Sequence, residues 1–153
     1  MPKEAYRRRR LLLVDRKYGK IPTLKDSLAE AGFMVYVADS VGAACLALQD
    51  LTIDVMVLEI QTPKGYQYCA DEVDGTSERW QTSWPGLDLL RMVRNGELQG
   101  IGQNLPVIVI TSIVMEHQVK EIENHHPTRL LEKPCNIPIM VETCKSVLLP
   151  PTS

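Results

Sequence analysis

The sequence predicts a doubly wound α/β domain in which five parallel strands alternate with five helices, (βα)5. Three observations carry that expectation. Short apolar runs alternate with stretches of helical period along the whole chain. Most of the runs are apolar at consecutive positions, as strands covered on both faces require. Chemistry-bearing residues follow four of the five runs, at the strand ends where open α/β sheets place their working sites. A chain of 153 residues suits one core of this kind.

Leu11–Val14 reads as the first strand, and Ile21, Leu24, Leu28 and Ala31 mark a helix that Gly32 stops. Met34–Val37 is the second strand. Ser40 is placed to cap a helix carrying Val41, Ala44, Leu48 and Leu51 on one face. Ile53–Ile60 reads as the third strand. An irregular stretch runs from Gln61 to Trp84, after which Pro85 and Gly86 open a helix with Leu87, Leu90 and Val93. Val107–Ile110 is the fourth strand, and a weaker helix over 114–124 shows Val119 and Ile122. A short fifth strand near Arg129–Glu132 precedes a last helix over 137–149 with Ile137, Met140, Cys144 and Val147. Residues 1–9 form a basic arm, and 10–149 form one domain with an insertion at 64–84.

Composition excludes several classes. No apolar run approaches the roughly 20 residues of a membrane span. The basic N-terminus is not followed by the apolar region of a signal peptide, so a cytoplasmic location is expected. Cys45, Cys69, Cys135 and Cys144 form no C-x-x-C pair and are expected to be reduced thiols. Segment 1–10 carries +4 in a chain of net −2, leaving −6 for the rest. Arg7–Arg10 is therefore read as a solvated arm, and nucleic acid is not an expected partner. D-E-V-D-G at 71–75 does not match a calcium loop, no metal site is expected, and His125 and His126 read as solvated turn residues.

The strand ends carry the sharper signal. Strand one ends in Asp15-Arg16, strand three in Glu59, strand four in Thr111-Ser112 and strand five in Lys133-Pro134. Two acids, a hydroxyl pair and a lysine thus converge on one edge of the predicted sheet. With the segments LLLVDR, DVMVLEIQTP, PGLDLLRMVR, LPVIVITS and LLEKP, the chain resembles the receiver domains of two-component response regulators over about residues 9–149. The resemblance implies a flavodoxin-like sheet in the order 2-1-3-4-5. It also implies a phosphoacceptor site, with Thr111 and Lys133 as binders of phosphoryl oxygens, and a Lys133–Pro134 bond that is often cis in the family.

Three departures bear on function. The first lies in the site itself. Glu59 stands where the family has its acceptor aspartate, and the extra methylene moves its oxygens by about 1.5 Å. Arg16 stands where the second Mg²⁺-binding acid is expected, and a guanidinium binds no cation. Arg16 and Lys133 are both expected to approach Glu59. The second concerns switching: Leu130 occupies the switch position, paired with Thr111, where the family usually has an aromatic ring. The third is the insertion, with about 20 residues between Pro63 and Pro85 where such connections usually hold a handful. It carries Tyr66, Tyr68, Trp80 and Trp84, half of the chain's eight aromatic residues, and these are candidate partner contacts.

The expectation is a stand-alone receiver-like signalling module, not an enzyme, with no cofactor. It would act by binding a protein partner such as a histidine kinase or another signalling protein, or by forming a homodimer. The resemblance places contact on the helix 4–strand 5–helix 5 face, and composition adds the insertion. The alternative is a working phosphoreceiver that binds Mg²⁺ and takes phosphate from a histidine kinase. Flavin or nucleotide binding is disfavoured, because DRKYGK after strand one holds neither a dinucleotide fingerprint nor a P-loop.

Overall fold

The computed structural model describes residues 8–18, 21–65, 84–112 and 115–148. The order is β1 (Arg9–Val14), α1 (Pro22–Glu30), β2 (Phe33–Ala38), α2 (Val41–Asp50), β3 (Val55–Glu59), α3 (Pro85–Arg94), β4 (Val107–Thr111), α4 (Glu116–Asn124), β5 (Thr128–Glu132) and α5 (Ile137–Ser146). The five strands form one parallel sheet in the order β2-β1-β3-β4-β5. The (βα)5 expectation and its strand order hold.

The core explains why the apolar runs are continuous. Leu12, Val14, Met56, Leu58, Val107 and Val109 face α2 and α3. The alternate residues Leu11, Leu13, Val55, Val57, Ile108 and Ile110 face α1 and α5. Successive side chains of a strand point to opposite faces, so a strand covered on both sides must be apolar throughout. β5 lies at the sheet edge, half-buried, and its run is short and mixed.

Several bounds differ from the sequence reading. β1 begins at Arg9. β3 excludes Ile53 and Asp54, because Asp54 caps the start of β1 instead: Arg10 N–H donates to Asp54 Oδ2 at 2.7 Å and Asp54 N–H to Arg10 O at 2.9 Å. α2 ends at Asp50, so Leu51 is its C-cap rather than part of its face. Ser40 does cap α2, accepting from Ala43 N–H at 3.1 Å. Cys45 on α2 is disulfide-bonded, which corrects the expectation of four reduced thiols; Cys135 and Cys144 are free.

Two arginines fasten α3 to α4 and to the loops around β4. Arg91 grips Glu121 of α4 with two nitrogens and Asp88 with a third at 3.1 Å. Arg94 donates to the carbonyls of His125 (2.9 Å), Gln103 (2.9 Å), Leu105 (2.7 Å) and Pro127 (2.7 Å), and to Thr128 Oγ1 (2.9 Å). With no carboxylate in that ring, burial pulls the Arg94 guanidinium down to about 10, still charged at neutral pH. His125 is not a solvated turn residue, since Nε2 lies 3.2 Å from Glu121 Oε2; His126 is exposed.

Candidate functional site

The site sits at the carboxyl ends of β1, β3, β4 and β5. A cleft of about 640 Å3 opens there, lined among others by Asp15, Arg16, Glu59, Thr62, Ser112 and Lys133. That volume lies within the range of small-molecule sites.

Each carboxylate is held by the turn after its strand. Asp15 Oδ1 accepts from the backbone N–H of Lys17 at 2.9 Å and of Tyr18 at 3.3 Å, so the β1–α1 turn folds around it. Glu59 Oε2 accepts from Gln61 N–H at 3.3 Å. Thr62 Oγ1 donates to Val14 O at 3.3 Å and ties the segment leading into the insertion to the end of β1. α2 receives the same segment: Val41 N–H donates to Pro63 O at 2.8 Å and Gly42 N–H to Lys64 O at 2.9 Å. These two carbonyls satisfy donors that a helix start leaves unpaired. On the other side of the cleft, Gly86 N–H donates to Ile60 O at 2.9 Å. A Cβ at Gly86 would lie 2.5 Å from Glu59 O, so only glycine lets α3 sit against the strand end that carries Glu59.

Lys133 closes the site. Its Nζ lies 2.6 Å from Asp15 Oδ2 and 3.0 Å from Glu59 Oε1. The same ammonium stands 4.3 Å from the centre of the Tyr18 ring, a cation–π distance. The Lys133–Pro134 bond is cis. Burial is the largest single influence on Lys133 and works to lower its pKa. The hydrogen bonds and charges of Asp15 and Glu59 together outweigh it and hold the ammonium above its ordinary range. Tyr18 is shifted upward, first by burial, while a hydrogen bond from the Cys135 backbone works the other way.

The structure brings together Asp15, Glu59 and Lys133 as the sequence predicts, but not Arg16. Arg16 is exposed on the cleft rim and makes no ion pair with Glu59. Arg16 follows the end of β1 in the turn, where its side chain faces solvent. Thr111 is fully buried and its carbonyl accepts from Lys133 N–H at 2.9 Å, while Ser112 lines the cleft. Leu130 packs, half-buried, against the core on the α2–α3 side. Trp84 precedes α3 and packs on the same core; Tyr66, Tyr68 and Trp80 lie outside the described residues. Sequence reasoning missed Tyr18, whose signal was its place three residues after Asp15 in the first strand-end turn.

Mg²⁺, which the resemblance implies, does not fit this arrangement. The two carboxylates that could ligate it share an ammonium already seated between them, and Arg16 adds a second cation at the rim. Among the described residues no group of three or more His, Cys, Asp or Glu side chains is placed to hold a metal ion.

No protein-family model and no curated protein matches this sequence. Solved structures do. The receiver domain of the Francisella response regulator 1452 aligns with a TM-score of 0.67 at 18% identity, covering 92% of this chain and 96% of that one. A CheY-like response regulator receiver domain from Methanospirillum hungatei aligns at 0.69 and 18%, covering 93% and 94%. The Vibrio cholerae chemotaxis protein CheY4 aligns at 0.67 and 20%, covering 93% and 100%. The fold is that of response-regulator receiver domains.

Proposed function

We propose that this chain is a receiver-like signalling module that acts by protein–protein contact and independently of phosphorylation. One observation carries the reading: Lys133 Nζ is shared between Asp15 at 2.6 Å and Glu59 at 3.0 Å. In the resemblance that lysine meets a phosphoryl oxygen; here the chain supplies both of its counter-ions. Glu59 is also one methylene longer than the aspartate that would be phosphorylated, and Arg16 takes the place of a metal-binding acid. The module needs no cofactor in this reading. Its partner surfaces are the insertion and the α4–β5–α5 side, where Met115 and Ile139 expose about half their surface. A histidine kinase or another signalling protein is the kind of partner such a module would meet, inside the cell.

A second reading keeps the phosphoreceiver chemistry. The exposed Arg16 does not plug the cleft, and Asp15 Oδ2 is buried with only the lysine beside it. If Lys133 swung out, two carboxylates and the hydroxyl of Ser112 would line an open site. Beryllofluoride, which stands in for a phosphoryl group on a carboxylate, separates the readings. The expected result is no saturable change in Trp84 fluorescence with or without Mg²⁺, and no labelling by acetyl phosphate. Metal-dependent labelling at Glu59 would establish the phosphoreceiver instead.

A further inference from the structure

The two edges of the sheet are finished differently. β5 is flanked by Pro127 and Pro134 and exposes Arg129 and Glu132, devices that keep another strand from adding. β2, FMVYVA, has no charge, proline or glycine in six residues, and exposes Met34 (38%) and Val37 (42%).

Its backbone is also open. Ala38 O accepts from Asp15 N–H at 3.1 Å, so the even-numbered residues of β2 direct their backbone groups to β1. Alternation turns those of Phe33, Val35 and Val37 outward. Phe33 O is occupied by Arg8 Nη2 at 2.9 Å. The N–H and C=O of Val35 and Val37 have no partner among the described residues. Four backbone groups thus stand in a row beside a groove of about 400 Å3 lined by Arg8, Lys25, Asp26 and Ala29.

We propose that the open edge of β2 seats a second copy of this chain, joined antiparallel about a two-fold axis so that one sheet runs through both. The occupant is selected by self-complementarity. An axis at Tyr36 sets Val35 of each copy opposite Val37 of the other, the kind of pair that exchanges both N–H···O bonds. All four open groups are then satisfied, Phe33 stays with Arg8, and Met34 meets the small Ala38. The same register brings the exposed Asp39 of one copy beside the Arg8 guanidinium of the other. On α1, Lys25 and Asp26 are exposed neighbours of opposite charge in the groove, and a two-fold carries each Lys25 toward the other copy's Asp26. A parallel neighbour would oppose like with like.

Sedimentation equilibrium of the full chain is expected to show a monomer–dimer equilibrium. Val37→Lys sets a charge in the seam and weakens association by about tenfold or more. Lys25→Asp and Asp26→Lys each weaken it alone, and the double swap restores it. The swapped positions are exposed on α1 and keep the test open should Val37→Lys unfold the chain. A chain that stays monomeric at every concentration overturns the proposal and leaves the edge to a strand of a different protein. A dimer weakened by neither Val37→Lys nor the single charge reversals overturns it as well.

Discussion

Lys133 separates two buried carboxylates that would otherwise repel across the cleft. Asp15 and Glu59 are 2% and 6% exposed at the floor of the cleft, so both rely on the ammonium for compensation. Lys133→Ala is therefore expected to destabilise the fold by about 3–5 kcal/mol, the cost of leaving a buried charge uncompensated. Urea unfolding at neutral pH measures it. Glu59→Gln should cost less, because Lys133 keeps Asp15. This triad was legible in the sequence, since a polar residue ending an apolar run must emerge at the sheet's edge. The outward course of Arg16 was not, because chain adjacency says nothing about which side of a turn a long side chain takes. The disulfide at Cys45 was equally hidden, as spacing alone does not reveal which thiols meet.

At the scale of elements, α4 joins a narrow buried face to a charged clasp on α3. Its apolar pattern is thin, with Gln118 and Ile122 its only buried side chains, which is why the sequence shows it weakly. Glu121 compensates: the Arg91 hydrogen bond is the main cause that holds its carboxyl below the ordinary 4.5, with His125 adding to it. A depressed native pKa gives stability that is present above the unfolded value and lost as pH falls through the native one. The stability difference between the wild type and Glu121→Gln should thus be full above about pH 4.5 and shrink on acidification below it. Thermal midpoints measured in steps from pH 7 downward give the curve, and a difference that stays flat into acid would contradict it. The clasp was invisible in the sequence because Arg91 and Glu121 meet only through the packing of two helices. The start of β3 was misjudged for a related reason: Asp54 is drawn out of the strand by the backbone of β1.

For the whole molecule, topology was legible in the periodicity because each covered strand must be apolar on both faces, and among the strands the short, mixed β5 gave the weakest pattern. The same layering predicts how the chain opens. Backbone amides of β1, β3 and β4, whose core residues are almost all fully buried, should exchange with solvent most slowly, and those of β5 earlier. Hydrogen-exchange mass spectrometry resolves the order, and slowest exchange in β5 would refute it. The position of Lys133 bears on what a molecule of the proposed kind could tell a cell. Under the proposed phosphorylation-independent reading, no donor would set its state and no phosphatase would erase it. Its message would then be the number of copies made and degraded, with control passing from chemistry at the cleft to synthesis and turnover.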